Sequence, residues 1–242
     1  MTHFSGTALT RLFTVSLLLP AFSMSLADDA PCTADGDLEF VCGFVDPEDL
    51  VPVGDSPWII VSSLTPGDYL YAVDASDRSW TALTGANAPG ESHDPERFPS
   101  CPNAPDAETV STHGLYIEQA DDGRHTLYVV VHGSRESIEV YDVDASTETL
   151  SLTRVGCAMM PEGLVANSVA ALDSGSLLAT VPLEPGKSLA DAMRDEPTGA
   201  VYAWSSDDDT WTRVDGSELP YGNGIEVSVD EREFYVASSG RP

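Results

Sequence analysis

Positive charge is what this chain has least of. Its 242 residues carry 11 Lys and Arg against 40 Asp and Glu, a formal charge of −29. So acidic a surface repels phosphate backbones and anionic lipid headgroups, which excludes nucleic acid and anionic membrane surfaces as partners. Solubility, cation binding or salty surroundings remain as uses for the acidity, most of which is solvated surface. Helical periodicity is also nearly missing past the N-terminus. No C-x-x-C occurs, which disfavours a redox or zinc-thiolate motif. No G-x-S-x-G occurs either, so a serine nucleophile elbow has no support, and Ser62-Ser63, Ser134 and Ser238-Ser239 do not replace it.

One apolar run stands out, Leu12 to Leu19, preceded by Arg11 and followed by the small residues Ser25 and Ala27. It is short for a membrane span and reads as a cleaved secretory signal over residues 1–27, with no twin-arginine pair. The expectation is export to a periplasm or the outside, with no membrane span after cleavage. Four cysteines in an exported chain fit disulfides. Cys32 and Cys42 are close in sequence, which leaves Cys101 with Cys157, although four cysteines allow three connectivities.

What the chain does contain is short β-rich runs separated by Asp, Ser, Gly and Pro, and these runs repeat. Tyr71 to Thr81, Tyr141 to Ser151 and Tyr202 to Thr212 are three hairpins in one register, each with an aromatic start, a polar turn and a resuming strand. Another strand precedes each hairpin (Trp58 to Val61, Thr126 to Val131, Leu177 to Thr180), and Phe234 to Ala237 matches it in a fourth unit. A first strand begins each unit, near Glu48, His113, Asn167 and Asn223. Strand, strand, hairpin is the blade of a β-propeller. The chain therefore reads as all-β: an N-terminal segment over 28–46, then a partial propeller over 47–242 with blades near 47–84, 110–155, 165–214 and 220–242. Ala86 to Asp106 and Leu183 to Pro197 are insertions. Asp142-x-Asp144-x-Ser146 resembles a calcium loop, but Thr147 and Thr153 stand where such a loop needs Gly and Glu, so it is a hairpin turn.

First strands of propeller blades line the central channel, so Glu48, His113, Asn167 and Asn223 converge on one opening. A carboxylate and two amide oxygens are hard donors that suit calcium, which takes roughly six to eight oxygens, and suit zinc poorly. Singly, each is as well explained as a polar residue at a strand edge. His93 and His125 lie in polar stretches and read as exposed.

Pro47-Glu48-Asp49-Leu50, His113-Gly114-Leu115, Val130-Val131-His132 with Glu136 to Val140, and Asn223-Gly224-Ile225-x-x-Ser228-x-Asp230 together resemble the paraoxonase/arylesterase family. More broadly they resemble the superfamily of gluconolactonases and senescence-marker lactonases. The resemblance runs from Pro47 to Ser238. It implies a six-bladed propeller, of which about three and a half blades are present here, with calcium at its opening and lactones or some esters as substrates. Carried over, Glu48, Asn167 and Asn223 are ligands of the catalytic calcium. His113 and His132 match a histidine pair in which one imidazole activates water and the other supports it; for His132, among valines, a hydrogen-bonded structural role is the alternative. Ser168 stands where that family has an aspartate helping to hold a second calcium, which leaves Asp49 and the Leu115 carbonyl for that role.

The leading expectation is an exported calcium-dependent hydrolase of lactones or esters. The alternatives are a non-catalytic propeller that binds a small molecule or protein, and a sugar-lactone hydrolase that needs the metal but no histidine pair. The unit holding Asn223 has two strands before Pro242, so the resemblance implies further blades. The 242-residue chain expressed alone is expected to be inactive and poorly soluble.

Overall fold

The computed structural model describes residues 32–120 and 122–240, so the signal read over 1–27 lies outside the described residues. The chain divides into Met1–Phe40 and Val41–Pro242. In the first unit, Asp35 and Leu38 exchange two backbone hydrogen bonds (2.9 and 3.0 Å) around Gly36, which has φ +61°.

The second unit is all-β, built of several antiparallel sheets. The first sheet runs in sequence order: β1 (Pro47–Pro52), β2 (Trp58–Ser63), β3 (Leu70–Asp74) and β4 (Ser79–Ala82). The second comprises β5 (Gly90–Glu91), β6 (Ser111–Glu118), β7 (Arg124–His132), β8 (Ser137–Asp144) and β9 (Ser151–Met159). The third comprises β10 (Val169–Ala171), β11 (Leu177–Val181), β12 (Ala200–Ser205) and β13 (Thr210–Arg213), and the fourth pairs β14 (Gly222–Val227) with β15 (Phe234–Ser238). First strands neighbour one another in the order β1, β6, β10, β14, so the sheets succeed each other in a propeller-like arrangement.

Packing follows from the period-2 alternation of strands whose two faces are both covered. Along β7, Leu127, Val129 and Val131 face a cluster that includes Ile60 and Leu70 of the first sheet. Tyr128 and Val130 face the opposite way, into a cluster with Val169, Leu177 and Trp204 of the third. That is why β7 reads as a nearly unbroken apolar run. A smaller cluster of Ala170, Leu178, Val201 and Ile225 joins the third sheet to the fourth.

The insertions differ from plain loops. Gly90 and Glu91 add a short parallel strand to the outer edge of β9. Leu189–Ala192 forms one helical turn, α1, capped because Asp191 accepts from the Ser188 amide at 2.8 Å while Ser188 Oγ accepts from the Asp191 amide. The Cys101–Cys157 disulfide pins the first insertion to β9, and no cysteine is free among the described residues. Among the described residues no helix is long and apolar enough to cross a membrane. His125, read from the sequence as exposed, is instead buried. It closes the β6–β7 turn by accepting the Ala120 amide at Nδ1 (2.9 Å), a role for an acceptor that the polar surroundings in sequence do not reveal.

Candidate functional site

The site is assembled by interruptions of strand register. β1 slips between Pro47 and Leu50, β6 between Thr112 and Leu115, and β14 between Gly222 and Ile225. The residues inside those slips are Glu48-Asp49, His113-Gly114 and Asn223-Gly224. In the third sheet Asn167-Ser168 lies just ahead of β10. Each pair is followed by an apolar residue that resumes the strand: Leu50, Leu115, Val169, Ile225. A bulge tilts a side chain out of the alternation and re-aims it, which turns these polar residues away from the sheet faces.

Close backbone contact joins the bulges. Gly114 N donates to Asn167 O at 3.1 Å, and a Cβ on Gly114 would lie 2.6 Å from that oxygen, so only glycine allows the approach. Asp49 staples β1 to β6: Oδ2 accepts from the Leu115 amide at 2.8 Å and Oδ1 from the Leu50 amide at 2.7 Å. Burial raises the Asp49 pKa, and the two amide donors only partly offset it. Thr180 Oγ1 bridges the third and fourth sheets, accepting from Ser168 N at 3.1 Å and donating to Asn223 O at 2.6 Å.

Side chains then form a continuous chain. Glu136 Oε2 lies 2.6 Å from His132 Nδ1, His132 Nε2 lies 3.0 Å from His113 Nδ1, and His113 Nε2 lies 3.1 Å from Glu48 Oε1 and 3.0 Å from the Asn167 amide. The two imidazoles meet edge to face, 72° between planes. Both histidines are partly buried, with 17% of each side chain exposed, while Asn167 is buried.

Of the residues singled out in the sequence, the structure joins Glu48, His113, His132 and Asn167 directly and links Asp49 through backbone amides. Asn223 reaches the group through its backbone carbonyl; its side-chain Nδ2 lies 3.4 Å from Ser239 Oγ. Glu136 belongs to the motif that carries the family resemblance, but no role is read for it there. Its only signal in the sequence is a carboxylate four residues after His132, across a tight turn at Gly133 (φ +127°) where a Cβ would meet Thr109 O at 2.4 Å. That turn is anchored from beneath. Arg135 donates to Asn103 O and, at 2.6 Å, to the buried Glu139, which also takes Arg154 Nε at 2.6 Å.

The donor set can be tested for calcium on proton count. If Glu136 holds the proton on His132 Nδ1, His132 Nε2 is an acceptor and takes the proton on His113 Nδ1. His113 Nε2 in the neutral ring is then a lone pair, and Glu48 Oε1 faces it at 3.1 Å. A positive charge between them resolves the repulsion, supplied by a proton or a cation. Rotation of the Asn167 amide, whose O and N are assigned from such networks, adds a second oxygen to the same point. Glu48 and Asn167 thus fit a cation with oxygen preference, while the Asn223 amide faces Ser239. The Asp49 oxygens are engaged by amides. Cys101, Glu139 and Cys157 also lie close together, but the two sulfurs form a disulfide and ligate nothing.

No family model and no curated protein matches this chain. Among solved structures it is similar to a gluconolactonase from Xanthomonas campestris, XC5397, described as important in glucose secondary metabolic pathways. Identity is 8% and the TM-score 0.31, over 76% of this chain and 66% of that one. The chain thus spans just under two thirds of that protein, and a likeness at this level carries no argument about chemistry.

Proposed function

We propose that this chain carries the histidine pair and part of the calcium site of an exported hydrolase of lactones or esters, within a six-bladed propeller of the paraoxonase type. The single observation behind this is the unbroken line Glu136–His132–His113 ending against Glu48 and Asn167. Export is supported by the apolar run within 1–27 and by the absence of free cysteines among the described residues.

Glu48 and Asn167 would hold the calcium, with Asn223. When bound, calcium supplies Lewis-acid polarisation of a carbonyl. The chain's own residues do the proton handling. His113 Nε2, at the end of the line beside Glu48 and Asn167, removes a proton from an attacking water. His132 takes up the charge through the His113 Nδ1 contact. Glu136 keeps His132 protonated on Nδ1, so that its Nε2 lone pair points at His113.

The test is calcium titration of the purified full-length protein, including the further blades the resemblance implies, followed by thermal melting and by hydrolysis of γ- and δ-lactones and an aryl ester. Calcium is expected to raise Tm in the wild type and not in Glu48→Gln, and His113→Gln is expected to lose hydrolysis while keeping the calcium shift. Absence of any calcium shift together with absence of turnover would defeat the proposal. Hydrolysis of sugar lactones that survives His113→Gln would favour a hydrolase relying on the metal alone. Ligand binding without turnover would favour a binding propeller.

A further inference from the structure

A cavity lies between the first and second sheets under the insertion that follows β4. It encloses about 290 Å³, and none of Glu48, His113, His132 or Asn167 lines it. Its inner wall is apolar, formed by buried Leu83 and Val110 with Pro89 and Pro105 above. At its floor the hydroxyls of Tyr69 and Tyr141 meet. Such a volume is at the small end of the range for ligand sites.

The floor has a proton to spare. Two hydroxyls bonded to each other use one of their two O–H donors, and among the described residues each hydroxyl's partner is the other. The second donor therefore has no protein acceptor, although Tyr141 is only 1% exposed. Tyr69 is half-buried and lines the cavity, so the spare donor is one that a ligand oxygen in the cavity can accept from. Burial raises the pKa of both phenols, so both remain donors at neutral pH.

Charge at the same end disfavours an anion. Arg154 lines the cavity, but its charge is already paired with the Glu139 and Glu91 carboxylates, and four of its five N–H donors are engaged: Nε by Glu139, one on Nη1 by Glu91, and two on Nη2 by Cys101 Sγ and the Pro102 carbonyl. The Glu91 carboxylate, also on the wall, would repel a second carboxylate. An apolar body and one neutral acceptor are what the cavity can satisfy.

We infer that this cavity is a binding site for a small neutral carbonyl compound with an apolar chain, whose oxygen accepts from the Tyr69–Tyr141 hydroxyl pair. The site is separate from the proposed hydrolytic one and does not depend on it. Tyr69 nevertheless connects the two regions, because its carbonyl accepts from Thr112 Oγ1, on the residue next to His113.

The probe is 2-octanone, which no hydrolase can cleave, added to the full chain while the methyl resonances of Leu83 and Val110 are followed by NMR. Saturable shifts are expected, with octanoate binding at least tenfold more weakly. The double variant Tyr69→Phe, Tyr141→Phe should bind 2-octanone about three- to tenfold more weakly, the loss of one neutral hydrogen bond. Ala107→Trp, on the exposed rim, should abolish the shifts with the fold intact by circular dichroism. The inference is overturned if no methyl shift saturates within the solubility of 2-octanone. It is equally overturned if octanoate binds as tightly, or if the double tyrosine variant binds as tightly as the wild type.

Discussion

Glu136 and His132 stand four residues apart on either side of a glycine turn, with Oε2 2.6 Å from Nδ1. A carboxylate at that distance keeps the proton on Nδ1 and leaves Nε2 as the acceptor facing His113. The pair of imidazoles acquires a direction from this contact. Replacing Glu136 by Ala is expected to lower kcat for lactone hydrolysis about 10- to 100-fold with little change in KM, because the loss falls on proton transfer rather than on substrate contact. Glu136→Gln, which retains an acceptor without charge, should lie between. Steady-state kinetics with imidazole ¹⁵N NMR checks this: the tautomer of His132 should become mixed in Glu136→Ala, whether or not the chain turns over lactones.

Gly114 sets how closely β6 approaches the Asn167 segment. A methyl group there meets Asn167 O and Ser168 Cα, both at 2.6 Å, and backbone cannot rotate away as a side chain can. Gly114→Ala is expected to cost about 1–3 kcal/mol of stability by overpacking. It should also weaken the proposed calcium site by displacing Asn167 from His113 and Glu48, seen as a reduced calcium-dependent rise in Tm.

The Cys101–Cys157 disulfide spans a sequence separation of 56 residues. Closing a loop of that length restricts the unfolded chain enough to be worth about 4 kcal/mol. It also holds Asn103, whose carbonyl receives Arg135 beside Glu136. The double variant Cys101→Ser, Cys157→Ser should unfold at markedly lower denaturant concentration, and reductant should have no further effect through this bridge.

Acid should weaken the third sheet through Glu184. Burial pushes its carboxyl up, but hydrogen bonds from Arg213 Nε and Tyr202 Oη, each at 2.7 Å, outweigh it and leave the pKa lowered from 4.5. A lowered folded-state pKa means stability that is present above the unfolded value and lost as pH falls through the folded one. Because the pair is largely solvated, the contribution is small. The melting temperature should therefore fall a little below about pH 4.5 in the wild type, and Glu184→Gln should flatten that part of the curve.

Much of the strand pattern is legible from alternation and turn residues. The runs Trp58 to Val61, Thr126 to Val131 and Leu177 to Thr180 fall within β2, β7 and β11. Turn chemistry likewise accounts for Asp144, whose Oδ1 accepts from Ser146 N at 2.9 Å, with no need of a metal. The parallel strand at Gly90 was not legible, because two residues carry no period and their partner in β9 is distant in sequence. His125 was misread for a similar reason: its acceptor role depends on a turn that brings the Ala120 amide back to it.

By itself, the sequence determined the acidity, the all-β character and the recurrence of a polar residue at the start of a first strand at Glu48, His113, Asn167 and Asn223. These are local properties, set by residue type and spacing along one strand. Only the tertiary structure decided what those residues touch. Register slips in β1, β6 and β14 re-aim the side chains, and the glycine contact at Gly114 brings two sheets together. The fold also turned Asp49 into a staple and brought Glu136 to His132, because hydrogen-bond geometry depends on distances of tenths of an ångström that spacing in sequence does not encode.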